Sequence, residues 1–302
     1  MSIFMTVIGA LAVAYAVWRL RHGYPCRDAP RALCFHKLSR RFCWEGTWTT
    51  PARFARALDH LWESGWRFLS EAEYLSALEA PSEQWARAVF VTFDDAYASV
   101  YEEAFPILRA RAIPFHLFVV SDYAGRANDW DLGLGRPRHR HATWDELREM
   151  AAAGATVGSH GASHADLTRL DGPGLRDELV RSRELIASSL GVAVRTLSYP
   201  FGRSNARVRA AAREAGYAAA FSLYPRGRSD RVDRYALRRD AVYIIDPAGS
   251  VETKLRPGPL FWLEDVKCRA INAVAVLTPL LKRRPRAPDR ARRSGGGSTA
   301  AR

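Results

Sequence analysis

The stretch Ala88-Val89-Phe90-Val91-Thr92-Phe93-Asp94-Asp95 joins an apolar run directly to two carboxylates. The apolar part has the length and the β-branched and aromatic content of a buried strand. Acidic side chains at the carboxyl end of such a strand lie where α/β sheets and barrels build their active sites. The stretch therefore predicts an α/β architecture with Asp94 and Asp95 at its functional end.

A second strand candidate, Ala155-Thr156-Val157-Gly158-Ser159, is followed by His160 and His164. Their four-residue spacing lets two imidazoles turn toward one ion if the backbone coils after His160. One carboxylate and two histidines leave coordination positions open for water and substrate, as hydrolysis requires. Each pattern alone is more often a solvated surface feature. Their joint occurrence behind two predicted strands favours a metal site.

Helical patterns and short apolar runs alternate along the chain. The helical patterns cover 51–65, 71–80, 98–111, 144–153, 173–190 and 205–215, and the apolar runs end near 36, 69, 93, 120, 159, 199 and 222. Such alternation predicts a parallel sheet, and six or seven units predict a barrel. A chain of 302 residues holds one such domain plus tails.

The two motifs of the predicted metal site resemble those of the polysaccharide deacetylases, the carbohydrate esterase family with the NodB homology domain. Thr92-Phe93-Asp94-Asp95 is similar to the family's first motif, and Ser159–His164 is similar to its second. The resemblance runs from about Ala32 to Tyr243. It implies an α/β fold, a deformed (β/α)7-type barrel, with the catalytic domain at 30–250.

The resemblance also implies the roles of the four site residues. Asp94 becomes the general base toward the attacking water, and Asp95, His160 and His164 become the metal ligands. A carboxylate beside a divalent cation keeps a low pKa, and the cation lowers the pKa of water, so a weak base suffices. Two imidazoles and a carboxylate favour Zn²⁺, although Co²⁺, Ni²⁺ and Fe²⁺ suit the same ligands.

The family's third motif has a counterpart in Leu197-Ser198-Tyr199-Pro200-Phe201-Gly202. It keeps the Pro-aromatic-Gly core but lacks the arginine that usually precedes it. This form is similar to the poly-N-acetylglucosamine deacetylase branch. The resemblance implies that Tyr199, Pro200 and Phe201 contact substrate, with Phe201 lining the acetyl pocket. The alternative is a turn that ends a strand, because Pro and Gly punctuate chains generally.

A general acid is less easily assigned, because no histidine follows His164 and the family's late histidine motif is absent. The short apolar strand that begins at Arg31 ends in His36, and it resembles the Tyr-His that opens the poly-N-acetylglucosamine branch. In a closed barrel the first and last strands are neighbours, so His36 can replace a late histidine. The alternative is a histidine that only caps the strand.

Other polar and aromatic residues lie between the motifs. Asn128-Asp129-Trp130-Asp131 resembles a segment of the same branch, which implies that Trp130 stacks on a sugar and that Asp131 orients a site residue. Structural packing is the alternative for both. His139 and His141 alternate with arginines, a pattern typical of a solvated basic loop.

The N-terminus begins with a run of sixteen residues, Ile3 to Trp18, that contains no charge, and Arg19 and Arg21 follow it. The pattern predicts an N-terminal membrane anchor helix over 1–22 and a single-pass protein of the inner (cytoplasmic) membrane. The positive charge on the C-terminal flank predicts that the catalytic domain faces the cytoplasm.

The C-terminus combines an apolar segment with a basic tail. Residues 260–281 are largely apolar, and residues 282–302 hold eight basic side chains and one acidic side chain. One interpretation is an amphipathic helix in the membrane interface, with residues 260–293 on anionic lipid. The alternative is a helix packed on the barrel, followed by a disordered tail at 282–302. The net charge of +13 is largely terminal and no nucleic-acid motif occurs, so nucleic acid is not an expected partner.

Together these patterns predict a metal-dependent N-deacetylase of an N-acetylated amino sugar, in a surface glycan or its lipid-linked precursor. One alternative is a deformylase or deacylase of another N-acyl amino sugar that uses the same metal chemistry. A catalytically inactive glycan-binding module is another alternative. The complete set of Asp94, Asp95, His160 and His164 argues against it, because a binding module has no use for a general base.

Overall fold

The computed structural model describes residues 13–18, 29–43, 46–128, 139–224, 233–247, 249–256 and 260–281. The strands in these ranges are β1 (Arg31–Phe35), β2 (Lys37–Leu38), β3 (Trp48–Thr49), β4 (Arg67–Phe68), β5 (Ala88–Phe93), β6 (His116–Val119), β7 (Thr156–Ser159), β8 (Thr196–Ser198), β9 (Ala219–Leu223) and β10 (Leu237–Ala241). The α-helices are Pro51–Glu63, Glu71–Glu79, Phe105–Ala110, Trp144–Ala152, Gly172–Leu190, Ala206–Glu214, Ser250–Leu255 and Phe261–Leu281. A π-helical turn at Val100–Ala104 precedes the third helix.

Seven parallel strands form a closed ring. Their order is β1, β10, β9, β8, β7, β6 and β5, and β1 pairs with β5 to close the barrel. β4 pairs only with the start of β5, where Phe68 lies opposite Val89. The predicted (β/α)7-type barrel is therefore confirmed. Each predicted apolar run ends within one residue of the end of an observed strand. β10, which completes the ring, was not predicted as a strand.

The two sides of β5 show how the barrel is filled. Side chains alternate along a strand, so Val89, Val91 and Phe93 lie under the surrounding helices, in the larger apolar cluster. Phe90 instead belongs to a second cluster inside the ring, together with Phe118 and Phe221. Asp94 lies two positions beyond Thr92, so it is on the same inner side and at the open end of the barrel.

A polar layer crosses the ring near the aromatic residues. His116 is fully buried and its ring nitrogens lie 2.7 Å from Thr156 Oγ1 and 2.9 Å from Thr196 Oγ1. Thr196 Oγ1 also donates to Glu71 at 2.9 Å. A Cβ at Gly158 would lie only 2.6 Å from His116 Nε2, so glycine is required for this layer to close.

Helix starts follow local capping chemistry. Thr50 and Ser70 accept hydrogen bonds from backbone N–H groups in the first turns of the helices that follow them. Ser70 and Thr143 each form a capping box with a glutamate three residues later. These caps explain why the helix starts at 51, 71 and 144 were predictable from sequence.

The first half of the helix Phe261–Leu281 packs on the barrel. Phe261, Asp265 and Cys268 are buried, and Asp265 forms an ion pair of 2.8 Å with Arg238 of β10. The indole of Trp18 donates to the same aspartate at 2.6 Å. This half of the helix is therefore packed on the barrel, which was the alternative to a helix in the membrane interface.

The predicted inner-membrane location requires correction. In the part of the chain that the structure describes, no helix combines the length and the apolar character needed to cross a membrane. The prediction of a single-pass protein with a cytoplasmic catalytic domain is therefore wrong. Most of the predicted anchor at 1–22, and the whole tail at 282–302, lie outside the described residues.

Candidate metal centre and active site

The predicted site residues meet at the carboxyl ends of the barrel strands. Asp94 and Asp95 follow β5, His36 follows β1, and the loop with His160 and His164 follows β7. Parallel strands present their carboxyl ends at one edge, so residues distant in sequence come together. All three strands belong to the closed ring.

Asp95, His160 and His164 form a compact ligand set. The Nε2 atoms of His160 and His164 lie 3.6 and 3.4 Å from Asp95 Oδ1. All three side chains are buried or nearly so. Ligand atoms bound to one zinc-sized ion at about 2.0 Å each are separated by roughly this distance. The three residues thus have the spacing of a single metal site.

The orientation of His160 also fits a metal ligand. Its Nδ1 lies 2.7 Å from the carbonyl oxygen of Ser198, which can only accept, so Nδ1 carries the proton. Burial lowers the pKa of His160, which keeps the ring neutral and places a lone pair on Nε2. That lone pair faces the Asp95 carboxylate, and a cation between the two stabilises both. The residues present therefore fit a divalent metal.

The loop after β7 is held by a residue that sequence reasoning missed. Glu178, on the helix Gly172–Leu190, accepts hydrogen bonds from the backbone N–H groups of Ala162 at 2.8 Å and Ser163 at 3.0 Å. Gly161 adopts φ 78°, which allows the chain to coil after His160. The coil brings both imidazoles to one side, as the four-residue spacing predicted.

Three site residues adopt left-handed backbone conformations although none is glycine. The φ angles are 66° at Asp95, 59° at His164 and 59° at Phe201. Such conformations cost on the order of 1 kcal/mol each and concentrate at functional sites. The surrounding structure holds them: His141 Nδ1 lies 2.6 Å from the carbonyl oxygen of Asp95. His141 is buried, so its interpretation as part of a solvated loop was wrong.

Asp94 is paired with Arg239 of β10. The two terminal nitrogens of Arg239 donate to the two Asp94 oxygens, and Arg239 Nη2 also donates to Ser198 Oγ at 2.7 Å. Burial would raise the pKa of Asp94, but the charge of Arg239 outweighs this effect and holds that pKa well below its usual range. Asp94 is therefore ionised at neutral pH.

Arg239 was not identified from the sequence, which lacks an arginine in the third motif. The arginine comes instead from the last strand of the ring. Within the barrel its guanidinium lies 5.1 Å from the ring centroid of Phe118 and 5.6 Å from that of Phe221. The local pattern of Leu237–Ala241 does not indicate a strand, so nothing in it pointed to Arg239.

His36 lies beside Asp94 together with a cysteine. His36 Nδ1 is 4.0 Å from Cys34 Sγ, and Cys34 Sγ donates to Asp94 Oδ2 at 3.4 Å. Burial lowers the pKa of His36 to about 4, so its imidazole is neutral at pH 7. Burial raises the pKa of the Cys34 thiol, which stays protonated.

Of the residues predicted to contact substrate, Phe201 lies beside the metal site and others lie in the core. Phe201 is partly exposed, and its ring centroid lies 4.7 Å from that of His164, beside the metal site. Tyr199 is fully buried in the core, and its hydroxyl donates to the carbonyl oxygen of Tyr235, so its side chain does not face the site. Pro200 is buried next to it. Trp130 and Asp131 lie outside the described residues.

Comparison with known proteins places these observations in a family. The family model for polysaccharide deacetylase matches residues 82–220. The Bacillus subtilis (strain 168) protein YxkH is 26% identical over 186 residues, which are 62% of this chain and 62% of that protein. The poly-beta-1,6-N-acetyl-D-glucosamine N-deacetylase of Staphylococcus aureus (strain MRSA252) is 25% identical over 171 residues, which are 54% of this chain and 56% of that enzyme. The chain therefore spans less than two thirds of either relative.

Solved structures show the same fold. IcaB from Ammonifex degensii superimposes with a TM-score of 0.60 and 25% identity, covering 81% of this chain and 97% of that one. The Streptococcus pyogenes deacetylase PplD, solved in complex with acetate, gives a TM-score of 0.64 at 18% identity, covering 78% and 100%. At that identity the second likeness concerns the fold alone. Both motifs lie within residues 82–220, the part of this chain that matches the polysaccharide deacetylase family model.

Proposed function

We propose that this chain is a metal-dependent N-deacetylase that hydrolyses the acetamide of an N-acetylated amino sugar within a glycan. The observation that carries the proposal is the adjacency of an ionised, arginine-paired Asp94 to the ligand set of Asp95, His160 and His164. Asp94 and Asp95 are adjacent in the chain and thus supply a base and a metal ligand, and hydrolysis of this kind uses both.

Asp95, His160 and His164 would hold the metal, with Zn²⁺ favoured by the ligand types. When bound, a divalent ion supplies Lewis acidity: it lowers the pKa of water and stabilises negative charge on an acyl oxygen. The hydrogen bond from His160 Nδ1 to Ser198 keeps the ligating nitrogen directed at the site.

Asp94 takes the proton of the attacking water in this proposal. Its carboxylate is held in one orientation by two hydrogen bonds from Arg239, so no rearrangement is needed before proton transfer. The same pairing keeps Asp94 ionised across the neutral range. A carboxylate of low pKa is a weak base, which suffices only because the water is acidified.

His36 donates the proton that the departing amine requires, because an amine anion is a poor leaving group. The ring is half-buried at the mouth of the barrel, beside Asp94. With a pKa of about 4 its imidazole is neutral at pH 7. A neutral imidazole still carries one N–H, which it can donate to the departing nitrogen and regain from the proton that Asp94 took from the water.

The substrate class rests on relatives and on Phe201. The Staphylococcus aureus relative is named for poly-beta-1,6-N-acetyl-D-glucosamine, and this chain is 25% identical to it. Phe201 lies against His164 and offers an apolar surface to an acetyl methyl group. We therefore propose a polymer of N-acetylglucosamine as the substrate.

The decisive experiment incubates the purified full-length chain, loaded with one equivalent of Zn²⁺, with a β-1,6-linked N-acetylglucosamine oligomer. Acetate release and new primary amines should appear together in equal amounts. Asp94→Asn should lower the rate by roughly 10²- to 10⁴-fold, the scale of general-base catalysis. Asp145→Asn, a matched change on the exposed face of a helix, should leave the rate unchanged. Equal rates for Asp94→Asn and the wild type would refute the proposal.

A further inference from the structure

A second cluster of potential ligands adjoins the first. Cys34, His36 and Asp94 each offer one ligand atom, and these three atoms lie within 4.8 Å of one another. None of the three belongs to the set of Asp95, His160 and His164. Cys34 belongs to none of the three motifs described above.

Barrel closure creates the cluster. β1 and β5 are parallel neighbours, with Cys34 opposite Thr92 and Phe35 opposite Phe93. Cys34 and His36 are two residues apart, so both side chains lie on the same side of the strand. Asp94 follows the partner strand directly, and its backbone N–H donates to the carbonyl oxygen of Phe35 at 2.9 Å. The backbone therefore fixes all three residues.

The distances suit a metal ion. Cys34 Sγ lies 3.4 Å from Asp94 Oδ2 and 4.0 Å from His36 Nδ1. Zinc binds sulfur at about 2.3 Å and nitrogen or oxygen at about 2.0 Å, which separates tetrahedral ligand atoms by roughly 3.5 Å. A thiolate, an imidazole and a carboxylate are all zinc ligands, and the thiolate favours soft ions.

We propose that Cys34, His36 and Asp94 form a second, weaker site for a soft divalent ion such as Zn²⁺ or Cd²⁺, and that an ion bound there stops catalysis. Binding transfers the Cys34 thiol proton to bulk water as the metal–sulfur bond forms. The inhibitory part rests on the proposed function, because the ion would occupy both the proposed base and the proposed acid.

Arg239 explains why this site is the weaker of the two. Its guanidinium already donates to both Asp94 oxygens, at 2.6 Å to Oδ1 and 2.7 Å to Oδ2. A metal ion at Oδ2 replaces one of these hydrogen bonds and lies near a fixed positive charge. Metal binding at Asp95, His160 and His164 requires no thiol to lose its proton. The first equivalent of metal should fill their site, and only excess metal should reach Cys34.

Spectroscopy tests the site without reference to activity. Metal-free protein is titrated with Co²⁺, whose bonds to thiolate give a charge-transfer band in the near ultraviolet, while equilibrium dialysis counts bound ions. For the wild type we expect no such band during the first equivalent and growth of the band during the second. Cys34→Ala should lose the band and the second ion, and should keep the first. Cys43→Ala, a control at a partly exposed thiol, should retain both.

Inhibition is then measured with the oligomer substrate, each variant being compared with its own rate at one equivalent of Zn²⁺. Saturating excess Zn²⁺ should lower the wild-type rate roughly 100-fold or more, the scale for removing a general base. Cys34→Ala should be far less sensitive, and Cys43→Ala should behave like the wild type.

The outcomes separate the two proposals. A charge-transfer band of unchanged strength in Cys34→Ala would overturn the second site, whatever the activity. A Cys34-dependent band without inhibition would overturn the inhibitory role and count against Asp94 and His36 as acid and base. A chain that binds two ions but never releases acetate would refute the proposed function and leave the site in place.

Discussion

Arg239 Nη1 and Nη2 donate to Asp94 Oδ1 and Oδ2 at 2.6 and 2.7 Å, so one buried guanidinium from β10 fixes the carboxylate that follows β5. The side chains of Asp94 and Arg239 are both almost completely buried. Removing one partner of such a pair leaves an uncompensated buried charge, which costs about 3–5 kcal/mol. The pair therefore supports both the fold and the proposed base.

Arg239→Lys should keep a positive charge but lose the bidentate geometry, so that the pKa of Asp94 rises. A base acts only when ionised, and kcat/KM falls as the pH drops through its pKa. A raised pKa moves that fall to higher pH, which a pH profile of kcat/KM measures. Arg238→Lys, a change at the neighbouring residue that contacts Asp240 and Asp265, should leave the acidic limb in place. An unmoved limb in Arg239→Lys would contradict the pairing.

His160→Ala and His164→Ala should each lose stoichiometric metal, because both Nε2 atoms face Asp95 Oδ1 at ligand spacing. Metal content after dialysis, measured by atomic spectroscopy, checks this. His60→Ala is the control, since His60 lies on the helix Pro51–Glu63 and contacts Glu252. Circular dichroism should show a folded chain in all three variants. Full occupancy in His160→Ala would remove it from the ligand set.

His36→Ala should lose roughly 10²- to 10⁴-fold in rate on the oligomer while it keeps the first metal ion, because the amine then leaves without a proton. An aryl acetate has a leaving group that needs no acid. On that ester His36→Ala should approach the wild-type rate, whereas Asp94→Asn should stay slow on both substrates. Equal losses on amide and ester would contradict the role of general acid.

Much of this arrangement was predictable from sequence because it depends on local pattern. The strand that ends just before Asp94 and the coil from His160 to His164 are each specified within a few residues, and capping residues such as Ser70 mark helix starts. The positions of Asp95, His160 and His164 at one edge followed from these elements.

Arg239 and Glu178 could not be found in this way. β10 reads Leu-Arg-Arg-Asp-Ala, which lacks the apolar pattern of a strand, yet four of its five residues are buried. Its arginine reaches Asp94 only because the ring closes between β1 and β10. Glu178 lies on a helix and contacts a loop fifteen residues away, again through tertiary packing. The role of such a residue cannot be predicted from local sequence, because its partner comes from a distant part of the chain.

Stability should fall as the pH drops below about 6.5, the pKa of histidine in an unfolded chain. Burial lowers the pKa of His116 to about 3, so the unfolded state takes up a proton there and the folded state does not. This contribution is present above pH 6.5 and is lost as the pH falls toward 3. His116→Gln should reduce the slope of unfolding free energy against pH by about 1.4 kcal/mol per unit between pH 6 and 4.5. Urea unfolding of chelator-treated protein measures the slope, and an unchanged slope would count against the buried neutral ring.

Lys254 and Lys267 provide a matched pair for testing how the helix Phe261–Leu281 is held. Both contact Asp246 and Glu264, but the Lys254 side chain is 1% exposed and that of Lys267 is 30% exposed. Lys254→Met should lower the free energy of unfolding by about 3–5 kcal/mol, because Asp246 loses its buried partner. Lys267→Met should cost about 1 kcal/mol. Equal costs for the two changes would show that burial does not decide the effect.

The pairing of β1 with β10 also sets the order in which a newly made chain can become active. A ribosome delivers His36 and Asp94 early, but Asp94 gains its arginine only after residue 239 has left the exit tunnel and β10 has joined both β9 and β1. Contacts that span two hundred residues form late in folding, since the intervening chain must first be ordered. Until then a nascent barrel carries an aspartate without its buried counter-charge, and a chain that is truncated before β10 never acquires it.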